Sequence, residues 1–252
     1  MIPTKMKSMS IAGAARITTA GFSLLVIVAL LVAPRAELHA GDLPADAASK
    51  HAARFEKEIA AFETADLKSP PPQGAILFVG DSAVRMWKSL AEDFPEHKVV
   101  NRGFGGSDLA DSIHFADRII IPYHPRLIIL KAGGNDLSGG KSPERVAADF
   151  KSFVQSVRAR LPNVRIAYQS INPNPGRWSQ KEIRLKTNAL IKAIVADGTN
   201  LDFIEVWNPF LDANGTPRKD LFLPDGIHNN DAGYKVLSEI VRPHLKIPGA
   251  AR

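Results

Sequence analysis

Short apolar runs divide the chain from residue 75 onward. They are nearly continuous, and they occupy residues 75–79, 99–100, 127–130, 164–168 and 203–206. Runs of this kind are typical of strands in a parallel sheet, because helices cover both faces of such a sheet. The pattern therefore predicts a buried parallel sheet of about five strands.

Between these runs, apolar residues recur every three or four positions, which is the period of a helix with one buried face. Ser142 and Pro143 open one such segment, since serine is a good N-cap and proline suits the first helical position. The predicted stripes are Ala52, Phe55, Ile59 and Phe62 in a helix over 48–65; Val146, Phe150, Phe153, Val157 and Leu161; Ile183, Leu190, Ile191 and Ile194; and Val236, Leu237, Ile240 and Leu245. Alternating strands and helices predict an α/β fold with helices on both faces of the sheet.

The first 40 residues have the order of a secretory signal. Three cations within residues 5–16 precede an apolar stretch over 20–33, and Ala40 offers a small residue at a cleavage point before Gly41. An uncleaved membrane anchor is the alternative, although a spanning helix needs about 20 apolar residues. We expect the protein to be exported to the periplasm or beyond, or else to be anchored in the membrane and to face outside the cytoplasm.

Three segments follow from these patterns. We predict a signal peptide or anchor helix over 1–40, a linker and amphipathic helix over 41–72, and a catalytic domain over 73–248. A single domain of this length can bury a sizeable core.

Composition removes several classes of function. The formal net charge is +6, and residues 1–40 contribute half of it, so the basic balance is weak support for a nucleic-acid partner. The chain has no cysteine, which excludes disulfides, thiolate metal sites and a cysteine nucleophile.

The first predicted strand runs directly into Gly80, Asp81 and Ser82. A serine at a strand end, where a helix begins, has its hydroxyl close to free backbone N–H groups. Ser82 is thus a candidate nucleophile, and the alternative is that it only caps a helix over 83–92.

Glycines and amides follow the next two strands. Gly105 and Gly106 allow a close approach of the backbone to a ligand, and a backbone N–H there could face an oxyanion. Their spacing does not fit a dinucleotide site. Asn135 and Asp136 come after two glycines, and an asparagine side chain is a good oxyanion donor, although such residues also form plain turns.

Asp225 precedes His228 by three residues near the end of the chain. A turn of that length can bring both side chains together, so that the histidine accepts a serine proton and the aspartate orients the histidine. A metal site is a poor alternative, because one Asp–His pair is a thin ligand set.

In this order, the blocks Gly80-Asp81-Ser82, Gly106, Gly133-x-Asn135-Asp136 and Asp225-x-x-His228 resemble the four signature blocks of the SGNH (GDSL-type) hydrolases. The resemblance covers about residues 73–246 and is greatest to the esterases related to platelet-activating-factor acetylhydrolase. It implies a three-layer α/β/α, flavodoxin-like fold. It also implies ester hydrolysis without a metal or cofactor.

By position, the resemblance makes Ser82 the nucleophile, His228 the base and Asp225 its partner. Ser82, Gly106 and Asn135 would form the oxyanion hole, with Asp81, Gly105 and Asp136 in supporting positions. Lys131, before the third block, is expected to reach solvent, and the 170–178 loop is expected to wall the pocket.

The expected substrate is a small-molecule, carbohydrate or lipid ester with a short acyl or acetyl group, because no long hydrophobic lid is evident. An acyltransferase that uses the same serine and a non-catalytic binder of acylated carbohydrate are the competing functions. The apolar stretch over 20–33 leaves membrane attachment open.

Overall fold

The computed structural model describes residues 53–246. The predicted signal peptide or anchor over 1–40, and the residues 41–52 after it, lie outside the described residues. Within 53–246, the helices are all too short or too polar to cross a membrane.

Five parallel strands form one sheet in the order β2-β1-β3-β4-β5. Their bounds are Ile76–Gly80 (β1), Val99–Gly103 (β2), Leu127–Lys131 (β3), Arg165–Gln169 (β4) and Leu201–Ile204 (β5). This is the strand order of flavodoxin-like folds, which place ligands at the carboxyl ends of the strands. The prediction of a parallel sheet of about five strands is confirmed.

Helices cover both faces of the sheet. Their bounds are Glu56–Lys68 (α1), Ser82–Arg85 (α2), Leu90–Asp93 (α3), Leu109–His114 (α4), Ala116–Ile119 (α5), Gly134–Ser138 (α6), Pro143–Arg160 (α7), Lys181–Ala196 (α8) and Asp231–Val241 (α9). Leu77 and Val79 of β1 pack towards α1, α4, α7 and α8. Ile76 and Phe78 pack towards α2, α3 and α9. Alternate residues of each strand therefore enter two separate cores, as a three-layer sandwich requires.

Several predicted elements have different bounds in the structure, and three of them stand out. The helix expected over 83–92 is two short helices, because Trp87 is buried between Phe78 and Tyr234 and the chain leaves the helix around it. The helix expected over 48–65 is observed, within the described residues, as α1 from Glu56 to Lys68, with Phe55 at its N-cap. The last strand ends at Ile204, although Val206 is also buried. The strand ends before Val206 because the N–H of Val206 donates to the Ser170 hydroxyl and not to a backbone carbonyl of β4.

One predicted helical stripe is partly wrong. Ile183 of α8 is 37% exposed, whereas the neighbouring Arg184 is 2% exposed. Asn188 also faces inward, where its amide exchanges two hydrogen bonds with the backbone of Ile171. On the inner face of α8, polar side chains with buried hydrogen-bond partners therefore stand where apolar side chains were expected.

Gly80 allows β1 to lead directly into α2. Its φ is +147°, and a Cβ atom there would lie 1.9 Å from the carbonyl oxygen of Lys131. Only glycine fits so close to the neighbouring strand. This turn brings Ser82 to the carboxyl edge of the sheet.

Candidate active site

The strand register places the predicted site segments at one edge of the sheet. Gly80 pairs with both Gly103 of β2 and Lys131 of β3, so these three strands end at the same level. The loops that carry Ser82, Gly106 and Asn135 therefore begin side by side.

Ser82 is the first residue of α2. The Asp81 carboxylate caps this helix by accepting a hydrogen bond of 2.8 Å from the N–H of Ala83. The Ser82 hydroxyl lies 2.8 Å from Nε2 of His228, across 146 residues of sequence. Ser82 thus begins a capped helix, and its hydroxyl is in direct contact with the imidazole of His228.

His228 also contacts Asp225. Nδ1 of the ring lies 2.6 Å from Oδ2 of Asp225. Oδ1 of the same carboxylate accepts hydrogen bonds from the backbone N–H groups of Ile227 and His228, at 2.8 and 3.0 Å. Because a carboxylate only accepts, Nδ1 carries the proton and Nε2 is left as an acceptor for the Ser82 hydroxyl.

The Asp225 carboxylate is ionised at neutral pH. Burial tends to raise its pKa, but hydrogen bonds from the His228 ring and from the two backbone N–H groups outweigh burial and lower the pKa of Asp225 to about 2. An ionised carboxylate at Nδ1 stabilises the imidazolium that forms when His228 accepts a proton.

Asn135 lies on α6 with both ends of its amide held. Its Nδ2 donates to the carbonyl oxygen of Ser107 at 3.0 Å, and its Oδ1 accepts from Nη1 of Arg177 at 3.2 Å. Both contacts fix the orientation of the amide. One hydrogen of Nδ2 is left over and can point at a ligand.

Two backbone N–H groups complete the possible donors. Gly106 has φ +79° and lies in the loop after β2, where Ser107 is anchored by hydrogen bonds from its hydroxyl to the carbonyls of Phe104 and Gly80. In the described part of the chain, the N–H groups of Ser82 and Gly106 have no hydrogen-bond acceptor. Free N–H groups near a serine hydroxyl can stabilise a developing oxyanion.

Gly105 and Asp81 lie around this site without being part of the donor set. The N–H of Gly105 is 3.5 Å from the Glu58 carboxylate of α1. Asp81 is 5% exposed, and its Oδ2 lies 3.7 Å from Nζ of Lys131. The expectation that Lys131 reaches solvent is wrong, because its side chain is 6% exposed and pairs with Asp81 below the site.

Asp136 belongs to a buried ionic cluster behind Asn135. Nζ of Lys141 lies 2.8 Å from Asp136, 3.0 Å from Asp108 and 2.9 Å from Asp149. Burial raises the pKa of Asp136, although Lys141 opposes this. Since Asp108 follows Ser107 and Asp136 follows Asn135, Lys141 ties the two oxyanion loops together.

We expect Lys141→Met to destabilise the fold by about 2 kcal/mol at pH 8. This is less than a fully buried pair would cost, because the Lys141 side chain is 25% exposed. The raised pKa of Asp136 makes its own contribution to stability increase as pH falls through that pKa, whereas the lowered pKa of Asp108 acts in the opposite direction. Without Lys141 the pKa of Asp136 rises further, and the loss should be smaller at about pH 5 than at pH 8.

Urea unfolding at both pH values measures this difference. Lys186→Met is the matched control, because Lys186 pairs with Glu144 on the surface and both side chains are more than half exposed. A Lys141→Met loss that is as small as the control's, or that grows as the pH falls, would contradict the role of the cluster.

Three cations were not singled out as site residues by the sequence. Arg177 contacts Asn135, Lys141 joins the oxyanion loops, and Arg184 is buried on α8. The sequence offered a signal for one of these cations, because Lys141 follows Asp136 by only five residues. The apolar periodicity of α8 predicted that Arg184 would lie on the exposed face of the helix.

Within residues 53–246, no group of three or more His, Asp and Glu side chains is arranged to hold a metal ion.

Comparison with known families gives one match over most of the chain. Residues 73–236 match the profile of the GDSL-like Lipase/Acylhydrolase family. Among curated proteins, esterase TesA of Pseudomonas aeruginosa is 27% identical over 89 residues. That match covers 35% of this chain, and the chain spans less than half of the relative, 44% of its length.

Solved structures show the same fold at low identity. A Streptococcus pneumonia protein provisionally described as a platelet activating factor has a TM-score of 0.68 and 23% identity, covering 80% of this chain and 97% of that one. A GDSL-like lipase of Bacteroides thetaiotaomicron has a TM-score of 0.61 and 18% identity, over 77% and 96%. A mutant form of the Axe2 acetyl-xylooligosaccharide esterase of Geobacillus Stearmophilus has a TM-score of 0.57 and 18% identity, over 72% and 99%.

Proposed function

The chain belongs to the GDSL-like lipase/acylhydrolase family, and we propose that it hydrolyses carboxylic esters through an acyl-enzyme on Ser82. One observation carries this proposal. Ser82, His228 and Asp225 form a continuous chain of contacts, at 2.8 and 2.6 Å, beside three donors with unused hydrogen-bonding capacity.

In the first half of the reaction, the Ser82 oxygen attacks the ester carbonyl carbon while Nε2 of His228 accepts the hydroxyl proton. The imidazolium is stabilised by the Asp225 carboxylate at Nδ1. The carbonyl oxygen becomes an oxyanion and receives hydrogen bonds from the N–H of Ser82, the N–H of Gly106 and Nδ2 of Asn135. Collapse of this intermediate breaks the ester C–O bond, and His228 returns its proton to the alcohol that leaves.

In the second half, water attacks the acyl group on Ser82, and His228 accepts a proton from that water. The same donors stabilise the second oxyanion. Release of the acid returns Ser82 and His228 to their starting protonation states, so the site is ready for another ester.

We propose that the acyl group is short. Asn174 and Arg177 place the loop after β4 directly against Asn135, and Gly176 of this loop bonds to Gly226 beside Asp225. This loop is held against Asn135 and the Asp225 turn, and we expect it to limit the space for an acyl group. Acetyl esters of small molecules or carbohydrates fit such a site, and the proposed export through residues 1–40 would bring the enzyme to esters outside the cytoplasm.

The experiment is a rate profile of the purified protein against 4-nitrophenyl esters of increasing acyl length. We expect kcat/KM to be highest for acetyl and butyryl esters and to fall for long acyl chains, because the loop after β4 limits the pocket. A rate that increases steadily to long chains would overturn the short-chain proposal, and no hydrolysis of any ester by folded protein would overturn ester hydrolysis itself.

Asn135→Ala should reduce kcat by about 10² to 10³-fold, since one oxyanion donor is lost. The melting temperature should change little, because only the side-chain bonds to Ser107 and Arg177 are removed. Steady-state kinetics on 4-nitrophenyl acetate measures the effect. Ser138→Ala, on the same short helix, is the control and should retain wild-type kcat. Equal rates for both variants would remove Asn135 from the oxyanion hole.

A further inference from the structure

The loop after β4 fixes one arginine between the two halves of the site. Asn174 accepts a hydrogen bond of 2.9 Å from the backbone N–H of Arg177, and the N–H of Gly176 donates to the carbonyl of Gly226 at 2.8 Å. At the other end, Nη1 of Arg177 donates to Oδ1 of Asn135 at 3.2 Å and to the carbonyl of Gly134 at 3.3 Å. The guanidinium is therefore anchored at the oxyanion donor, on a loop that also touches the Asp225 turn.

Most of the donors of this guanidinium are unused. Its Nη1 has the two bonds to Asn135 and Gly134, whereas Nε and Nη2 have no acceptor within residues 53–246. These atoms are also reached by solvent, because Nε of Arg158 is the sole side-chain polar atom in that range that is buried without a partner. Three N–H bonds of Arg177 are thus available to a ligand at the site.

Arg177 has no carboxylate in direct contact within the described residues, and the charge of Asp81 acts on the neighbouring Arg184 without an ion pair. Within the described range, neither Arg177 nor Arg184 forms an ion pair with a carboxylate. Arg184 is 2% exposed and is held by the carbonyl of Asn172 and by Gln180. The buried carboxylate of this region, Asp81, already pairs with Lys131.

The two guanidinium groups also affect each other. Burial, together with the positive charge of Arg177, lowers the pKa of Arg184 to about 10. A buried cation without a carboxylate partner is costly, so a fold gains nothing from placing a second cation beside it. An anion that binds at Arg177 would compensate both charges.

From this geometry we infer that Arg177 binds an anionic group of the substrate, a carboxylate or phosphate carried close to the scissile ester. The inference rests on the proposed ester hydrolysis and deepens it by naming a substrate class. Planar guanidinium donors suit carboxylate and phosphate oxygens, and such pairs form charge-assisted hydrogen bonds. The carbonyl oxygen of the scissile ester would occupy the oxyanion hole, while the carboxylate or phosphate of the same substrate pairs with Nε and Nη2 of Arg177.

The test compares esters with and without an anionic group. Mono-4-nitrophenyl adipate and its methyl ester place the carboxylate on the acyl side. 3-Carboxyphenyl acetate and its methyl ester place it on the alcohol side, and 4-acetoxyphenyl phosphate against phenyl acetate tests a phosphate. We expect wild-type kcat/KM to favour the anionic member of at least one pair by about tenfold or more, the equivalent of one charge-assisted hydrogen bond.

Variants separate recognition from positioning. Arg177→Gln also disturbs Asn135, so both members of a pair should slow down, but the anionic preference should fall to about one. Arg177→Lys should keep part of the preference. Arg160→Gln is the matched control, because Arg160 is the last residue of α7 and pairs with Asp117 of α5. It should leave the ratio of kcat/KM for the anionic and neutral esters unchanged.

Several outcomes would overturn the inference. Wild type that prefers the neutral ester in every pair contradicts it, and so does a preference that survives in Arg177→Gln. If Arg177→Gln does not fold, the salt dependence decides. The wild-type preference should shrink as ionic strength increases from about 0.05 to 0.5 M, and a preference independent of salt would contradict an ion pair. Hydrolysis of none of these esters would instead refute the proposed function.

Discussion

Ser82→Ala should reduce ester hydrolysis by about 10⁴-fold or more, while the protein keeps its fold. The variant removes the oxygen that attacks the carbonyl, and only the oxyanion donors and substrate binding remain to accelerate attack by water. The rate of 4-nitrophenyl acetate hydrolysis, with the uncatalysed rate subtracted, measures the loss. Stability should change little, because the helix cap depends on Asp81 and not on the Ser82 hydroxyl.

The matched control is Ser152→Ala on the exposed side of α7. Within residues 53–246, the Ser152 hydroxyl bonds only to the carbonyl of Ala148. It should retain the wild-type rate. If Ser82→Ala retained more than a few per cent of wild-type activity, the esterase reaction would have to use another nucleophile.

Asp225→Asn should reduce kcat by about 10⁴-fold. An amide at this position can donate to Nδ1 of His228, which favours the tautomer with the proton on Nε2. That nitrogen could then no longer accept the Ser82 proton at 2.8 Å. The charge that stabilises the imidazolium is lost as well, since the hydrogen bonds that lower the pKa of Asp225 to about 2 keep its carboxylate ionised at neutral pH.

Steady-state kinetics of Asp225→Asn beside Asp220→Asn measures this effect. Asp220 lies five residues earlier, is exposed and pairs with Arg218, so its replacement should have little effect on kcat. A loss of less than tenfold in Asp225→Asn would mean that His228 is oriented by other contacts.

The fold and the order of the site segments could be predicted because they depend on local patterns. Apolar runs identified the strands, and Ser142 with Pro143 marked the start of α7, as the structure has it. The side-by-side start of the loops that carry Ser82, Gly106 and Asn135 follows from where parallel strands end. These features follow from general rules of strand burial, helix capping and sheet topology.

The cations around the site could not be predicted in this way. Lys131 comes at the end of a strand and was expected in solvent, yet it is buried beside Asp81. Ile183 is exposed and Arg184 is buried, which is the reverse of what their hydropathy predicts. Such positions depend on partners distant in sequence, which a single chain does not reveal through periodicity. Arg177 and Arg184 also supply the charge that the inferred substrate anion would compensate.

The most direct test of the account is covalent trapping at Ser82. A fluorophosphonate reacts with an activated serine by forming a P–O bond as fluoride leaves, and His228 accepts the hydroxyl proton. We expect one phosphonyl group per protein, located on Ser82 by mass spectrometry of the digested protein, with loss of activity in proportion to labelling and no label in Ser82→Ala. Full hydrolytic activity in completely labelled protein, or inactivation with the label on another residue, would contradict an acyl-enzyme on Ser82.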